Sequence, residues 1–256
     1  SDVYKRQPTV SYWDCGEFIA VSHTLGVPHP PGSPFFLLLG RIASMLPITE
    51  DIAFRVNLLS PISSAFAVMF LYLVIVLLVA NWKGGIKNYQ DSLVSFGGGV
   101  IGSLTFAFTD SHWFNAVEAE VYAFSTFFTA IVVWLILKWN EKADEIGNER
   151  YILIIAYMIG LATGLHLLNL LAIPFIALII YFKKYEPNWK TFGYTVAITG
   201  IVFFLIHNVI IKGMPKIADS IGVWGAACLV LSVFVFMIWA IKNQKLILSL
   251  SLTSMV

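Results

Sequence analysis

Long apolar runs alternate with short polar segments along most of the chain. Seven runs approach or exceed the length of about 20 apolar residues that a helix needs to cross a bilayer. They cover residues 54–81, 92–109, 122–138, 151–166, 168–182, 191–211 and 221–241. Since these runs lack the apolar and polar alternation of a membrane β-barrel, they predict an all-α, polytopic transmembrane helix bundle of about seven spans.

An eighth apolar run, residues 35–46, is shorter and contains Arg41. It is too short to cross a bilayer comfortably, and we interpret it as a re-entrant or interfacial helix. The polar segment 8–34 precedes it. We therefore expect residues 8–53 to form an outer loop with one short helix, and residues 54–256 to form the helix bundle.

The positive charges indicate how the bundle is oriented. Most lysines and arginines fall in loops that share one side if 35–46 does not cross: Lys83, Lys87, Lys138, Lys142, Arg150, Lys183, Lys184, Lys190, Lys242 and Lys245. The positive-inside rule makes that side cytoplasmic. Segments 8–34, 109–121, 164–169 and 212–220 then lie outside. If 35–46 did cross, the first segment would no longer share a side with the other three.

Composition agrees with a membrane protein. The chain is 58% hydrophobic and 12% charged, far from the roughly 25% charged residues of soluble domains. A net charge of +1 without a basic run argues against a nucleic-acid surface. Cys15 and Cys228 lack metal-ligand spacing, so neither a disulfide nor a zinc site is expected.

The two ends of the chain need separate interpretation. Residues 1–7 include "DVYKRQ", which one reading frame of a common sequencing-library transposon end would encode. We expect residues 1–7 to be a non-native sequencing artefact. We expect residues 8–256 to be a partial membrane domain, truncated at both ends, because "LILSLSLTSMV" looks like the start of another span.

The stretch "WDCGEF" carries two carboxylates, Asp14 and Glu17. Their spacing of three places both on one face of a helical turn. Such a pair can divide the work of proton acceptor and positioning group. The residues also allow a simpler interpretation, in which Asp14 caps a helix in a solvated loop.

In "HPPGSP", two successive prolines restrict the backbone at His29 and Pro30. Proline fixes its own φ and forces the preceding residue into an extended conformation. The imidazole of His29 is therefore presented by a stiff segment. A turn that only ends the loop is the alternative.

Three stretches resemble a known family: "PTVSYWDCGEFIAVSHTLGVPHPPGSPFFLLLGRIASMLP", "HWFNAVEAEVYAFS" and "GLATGLHLLNLLAIP". The family is a group of bacterial membrane proteins of formerly unknown function, typical of Bacteroidetes, that is similar to protein O-mannosyltransferases. It resembles the GT-C glycosyltransferase class. The resemblance covers residues 8–182.

The resemblance implies an inverting enzyme that moves a mannose-like sugar from a polyprenyl-phosphate donor to a Ser or Thr hydroxyl of an extracytoplasmic protein. By position, Asp14 matches the catalytic acid of the first outer loop, and Glu17 is the second acid. Further candidates for binding substrate or lipid phosphate are His29, Arg41, Glu118, Glu120, His166 and Lys212. A bacterial inner membrane with a periplasmic active face is implied.

Other functions stay open at this point. No metal site is predicted, although the outward acids leave a divalent ion possible. A non-catalytic scaffold whose polar loops dock a partner is one alternative function. A transporter is a weaker one, because transporter sites lie near the bilayer midplane and the polar groups here gather at one face.

Overall fold

The structure is a computed structural model that describes residues 14–30 and 32–242. The predicted artefact at residues 1–7 and the predicted span start after 242 lie outside the described residues. Every regular element in the described part is helical, so the all-α prediction is confirmed. The chain divides into two compact units, residues 1–134 with 162–169 and residues 135–161 with 170–256.

The first unit begins with three short helices: α1 (Cys15–Thr24), α2 (Pro34–Met45) and α3 (Ile52–Asn57). Helix α2 packs against α1 and α3. Helix α2 starts with Pro34 in its first turn, where the missing N–H of proline costs nothing. The predicted short helix at 35–46 is therefore present as a helix of 12 residues.

Four further helices follow: α4 (Leu59–Trp82), α5 (Tyr89–Ala107), α6 (Asp110–Val117) and α7 (Val121–Lys142). Helix α4 packs along α5 and also contacts α6. Small buried residues on both helices, including Ser63 and Ala67 on α4 and Gly99 on α5, allow the backbones to approach closely. Helix α7 ends in the second unit.

The second unit holds most of α8 (Glu149–Thr163), then α9 (Ala172–Lys184), α10 (Trp189–Leu205) and α11 (Gly213–Lys242). A 3-10 turn (Leu167–Leu171) precedes α9, and a π-helical stretch (Ile206–Ile211) follows α10. Helix α9 packs against α10. Helix α11 is interrupted at Gly222, which has a φ of 72°.

By length and composition, four stretches in the described residues can cross a membrane. They are Ile52–Trp82, Val121–Lys142, Leu167–Lys184 and Trp189–Gly222. A fifth crossing results if α5 and α6, bent by 65° to one another, form one broken span. The count of seven is not confirmed, because α8 has only 15 residues and the apolar helix Ala227–Phe236 within α11 is also short, whereas a typical span has about 20.

Candidate active site

Asp14 is the N-cap residue of α1, but its side chain makes no capping hydrogen bond. The backbone carbonyl of Asp14 accepts the first helical bond, from Phe18 N–H at 2.9 Å. An N-cap aspartate normally accepts a bond from the second or third N–H of the helix. The simpler interpretation of Asp14 as a cap is therefore not what the geometry shows, and its carboxylate is left half-exposed.

Glu17, one turn into α1, bonds to His29 in the loop after the helix. One carboxylate oxygen accepts the His29 backbone N–H at 2.8 Å. The other lies 2.8 Å from His29 Nδ1. The opposite ring nitrogen, Nε2, lies 3.7 Å from Asp14 Oδ2. The structure thus brings together three of the predicted site residues in the order Glu17, His29, Asp14.

The charged forms of Glu17 and His29 stabilise each other. The hydrogen bond from His29 lowers the pKa of Glu17. The same bond raises the pKa of His29, and the nearby charges of Glu17, Asp14 and Glu120 act in the same direction. These shifts favour a carboxylate on Glu17 and an imidazolium on His29. Both side chains are partly exposed, so solvent screens the interaction.

Two buried carboxyl groups lie beside this cluster. Glu118 and Glu120 sit between α6 and α7 and are 6% and 4% exposed. Burial, followed by the charge of Asp14, raises the pKa of Glu120 to about 7, against a hydrogen bond from the Asp14 backbone. Burial also raises the pKa of Glu118. Glu120 is therefore an acid that can carry a proton next to Asp14 near neutral pH.

Residues 117–120, which carry these acids, are fixed by contacts with α1 and α3. Ala119 packs in a small buried cluster with Cys15 and Val56, so the start of α1 lies against the acid segment. Asn57 Nδ2 donates to the carbonyl of Val117 at 3.0 Å. Sequence reasoning missed both contacts, because neither follows from a local pattern.

The proline-rich segment is anchored to the turn at residues 162–169. Ser33 Oγ donates to the carbonyl of Leu165 at 2.9 Å. Phe35 N–H donates to the carbonyl of Gly164 at 3.0 Å. The second bond satisfies a backbone N–H in the first turn of α2 that lacks a helical partner. The stiff segment inferred from the prolines is thus also fixed at its far end.

The other predicted site residues are Arg41, His166 and Lys212. Arg41 donates to the carbonyl of His23, at the end of α1 opposite Asp14. A helix of 10 residues is about 15 Å long. His166 Nδ1 accepts the Leu168 N–H at 3.2 Å. Lys212 belongs to the second unit.

A metal ion can be considered at the cluster, because donor atoms of Asp14, Glu17 and His29 lie within 4.8 Å of one another. Two carboxylates and an imidazole are chemically suitable ligands. However, Glu17 and His29 are in direct hydrogen-bond contact at 2.8 Å, and an ion would have to replace that bond. In the observed geometry Glu17 is hydrogen-bonded to His29, and the opposite ring nitrogen faces Asp14 as an ion pair at 3.7 Å.

A cavity of about 370 Å³ lies in the first unit, beside α4 and α6. Its lining is mostly apolar and includes Pro61, Val68 and Trp113. Two polar atoms in its lining residues, Asn57 Oδ1 and Ser64 Oγ, are buried without a hydrogen-bond partner. The size is within the range of small-molecule pockets.

Comparison with known proteins identifies relatives. Residues 14–189 match the family model described as "Protein O-mannosyl-transferase TMEM260 N-terminal domain". The chain is 32% identical over 200 residues to "Protein O-mannosyl-transferase tmem260" of Dictyostelium discoideum, covering 72% of this chain and 22% of that protein. It is 29% identical over 149 residues to "Protein O-mannosyl-transferase TMEM260" of Mus musculus, covering 58% of this chain and 19% of that protein.

No solved structure matches the chain. The chain spans about a fifth of the length of these two relatives. The family match begins at Asp14 and includes the whole cluster with Glu120. Because the matched residues make up more than half of the chain, the chain belongs to the family of the protein O-mannosyl-transferase TMEM260 N-terminal domain.

Proposed function

We propose that this chain is part of a membrane glycosyltransferase that transfers mannose from a polyprenyl-phosphate donor to a Ser or Thr hydroxyl of a protein. The observation that carries the proposal is the Asp14 carboxylate. It makes no capping bond, it faces His29, and it lies at the start of the matched family domain. A carboxylate that caps no helix N–H and faces a basic ring can accept a proton from a substrate.

The transfer needs one proton acceptor. The hydroxyl oxygen of the acceptor forms a bond to the anomeric carbon of the sugar, and its proton passes to Asp14. The bond between that carbon and the phosphate oxygen breaks, and its electron pair stays on the polyprenyl phosphate. Attack opposite the leaving phosphate inverts the anomeric configuration. Because the leaving group is a phosphate, no general acid is required.

The environment of Asp14 supports this role. Its neighbour Glu120 carries a proton up to about pH 7, so a second negative charge beside Asp14 is avoided under mildly acidic conditions. His29 places a basic ring next to the carboxylate. The Asp14 carboxylate therefore lies beside a basic ring and a buried acid that holds a proton in this pH range.

The membrane arrangement is also part of the proposal. We place the Asp14 cluster on the extracytoplasmic side, because most lysines and arginines fall in loops of the opposite side. A GT-C-like bundle of about seven spans requires three further crossings besides the four long stretches: the bent pair of α5 and α6, α8, and the apolar part of α11. In a bacterial cell, this arrangement corresponds to the inner membrane with a periplasmic active face.

The test is Asp14→Asn in the full-length protein, with Asp110→Asn as the matched control. Asp110 is another acid of the same predicted face, exposed at the start of α6. Membranes containing each variant are supplied with polyprenyl-phosphate mannose and a Ser/Thr peptide. We expect the rate of mannose transfer to fall at least about 100-fold in Asp14→Asn, which is the lower end of the usual effect of a general base. Asp110→Asn should transfer mannose at the wild-type rate.

Two results would contradict the proposal. Transfer by Asp14→Asn near the wild-type rate would remove Asp14 as the base. If the wild-type protein transfers no mannose, and replacing Asp14 and Glu17 together leaves cell-surface glycans unchanged, a scaffold role fits instead. The anomeric configuration of the product, determined by NMR, tests the inversion separately.

A further inference from the structure

The two oxygens of the Glu17 carboxylate are both occupied by one residue, His29. We propose that Glu17 is a positioning residue that acts through His29: it fixes the imidazole so that Nε2 faces one oxygen of Asp14 and leaves the other oxygen for the acceptor hydroxyl. This inference rests on the proposed function, because it assumes that Asp14 is the proton acceptor.

The two bonds to Glu17 constrain different parts of His29. The backbone N–H bond at 2.8 Å fixes the loop relative to α1. The Nδ1 contact at 2.8 Å then fixes the rotation of the ring. An ionised carboxylate accepts hydrogen bonds and donates none, so Nδ1 carries the hydrogen. The same reasoning sets the ring orientation in other carboxylate-bound histidines.

The surroundings limit how else the ring can turn. The Phe18 ring lies 6.1 Å from the His29 ring, measured between centroids. Phe18 itself packs on Phe36 of α2, with ring centroids 5.3 Å apart. Pro30 follows His29 directly and stiffens the backbone. The imidazole is therefore held by an apolar side chain, a carboxylate and its own backbone.

The remaining nitrogen, Nε2, lies 3.7 Å from Asp14 Oδ2. This distance is longer than a hydrogen bond, but it is short enough for a charge to act on the carboxylate. The ionisable groups that face His29 are Glu17, Asp14 and Glu120, and all three favour the imidazolium. Oδ2 faces this ring, and the proposal assigns the other oxygen, Oδ1, to the acceptor hydroxyl.

The first experiment measures the ring directly. The full-length protein, labelled with ¹⁵N-histidine in lipid membranes, is titrated by solid-state NMR as wild type and as Glu17→Gln. The His29 signal is assigned by its loss in His29→Gln. We expect the titration midpoint of His29 to fall, because the hydrogen bond to the Glu17 carboxylate is the main cause that raises its pKa. The signal of His23, at the other end of α1, is the internal control.

The second experiment measures the reaction. A residue that acts only on orientation changes turnover, whereas one that holds substrate also changes KM. We expect Glu17→Gln to lower kcat about 10-fold or more with KM for the lipid donor unchanged, within the range of second-layer partners. The pH profile of kcat shifts with the His29 midpoint. The double variant with His29→Gln is no slower than His29→Gln alone, because the two residues act as a unit.

Several results would overturn the inference. If the titration midpoint of His29 does not move in Glu17→Gln, Glu17 does not bind His29. If KM rises, or if the losses in the double variant are additive, Glu17 binds substrate instead. A His29 signal that moves on adding EDTA and returns with Mn²⁺ shows a metal site instead. If the wild type transfers no mannose, the proposed function is wrong, and so is the positioning role that rests on it. A shifted titration midpoint of His29 in Glu17→Gln would still establish the Glu17–His29 contact.

Discussion

The buried carboxyl of Glu120 accepts a hydrogen bond from the backbone of Asp14. This contact joins the start of α1 to the segment between α6 and α7. It places an acid that is 4% exposed next to one that is half-exposed. Burial disfavours the charged form of Glu120 more than this hydrogen bond favours it, so the pKa of Glu120 rises from 4.5 to about 7.

This shift predicts how stability depends on pH. A carboxyl whose pKa is higher in the folded than in the unfolded protein binds more protons when folded, so its contribution is lost as pH rises. For Glu120 the loss runs from about pH 4.5 to about pH 7. We expect thermal stability in detergent to decline over this range in the wild type and to decline less in Glu120→Gln.

The measurement is best made between pH 5 and pH 6.5. Above that range the raised pKa of His29 adds a loss of the same sign, because His29 then releases its proton. Asp110→Asn is the control, since Asp110 is exposed. Equal slopes for the wild type and Glu120→Gln would show that Glu120 is not the group responsible.

Gly40 provides a test of how α1 and α2 pack. A Cβ added there would meet the Ser22 side chain, with Ser22 Cβ only 2.7 Å away. Since a serine Cβ cannot move without its backbone, Gly40→Ala should destabilise the protein by about 1–3 kcal/mol, the usual cost of overpacking. Thermal unfolding in detergent measures the change.

Two further variants make this result specific. Gly98→Ala, within α5, meets nothing within 4 Å and should be neutral or stabilising by up to about 1 kcal/mol. Adding Ser22→Gly to Gly40→Ala removes the clashing atoms and should restore part of the loss. If the double variant loses the sum of the two single effects, the two helices do not meet at these residues.

Much of the fold follows from the apolar runs. The run 54–81 lies within Ile52–Trp82, and 168–182 lies within Leu167–Lys184. A long apolar run has few alternatives to a helix in a membrane, because every backbone group must be bonded internally. Whether a 15-residue helix such as α8 crosses depends on its neighbours, and hydropathy along one chain does not contain that information.

The candidate site was partly predictable for a similar reason. The spacing of Asp14 and Glu17 places both in the first turn of one helix, and the prolines beside His29 indicate a rigid segment. The bond from Glu17 to His29 was not predictable, because it depends on how the loop between α1 and α2 folds back. The burial of Glu120 likewise depends on packing around Ala119, which has no local sequence signal.

Asn57 is the next residue to test, because it ties α3 to the acid segment. Its Nδ2 donates to the carbonyl of Val117 at 3.0 Å, and the residue is 7% exposed. Asn57→Ala leaves that carbonyl without its partner, which should cost about 1–3 kcal/mol. Ser63→Ala is the control, since Ser63 bonds only one turn back, to Leu59, and should change stability little. Equal losses in both variants would contradict the role of Asn57.

Asn169 makes the most complete set of buried polar contacts in the described part of the first unit. Its Nδ2 donates to the carbonyls of Ala162 and His166, each at 3.0 Å. Its Oδ1 accepts from Ser125 at 3.1 Å and from Thr129 at 3.0 Å. The side chain therefore joins α7 to the turn that anchors the proline-rich segment.

Replacing Asn169 should have a large effect. Asn169→Leu removes four hydrogen bonds. The carbonyls of Ala162 and His166 keep backbone N–H donors, but the Ser125 and Thr129 hydroxyls lose the acceptor Oδ1, at about 1–3 kcal/mol for each group that stays buried. We expect a loss of at least about 2 kcal/mol by this reasoning, seen as a clear drop in thermal unfolding temperature. Asn208→Leu is the matched control, because the Asn208 side chain donates one hydrogen bond, to the carbonyl of Phe204 four residues earlier. A loss no larger than that of Asn208→Leu would show that water replaces these bonds and that the turn is held by other contacts.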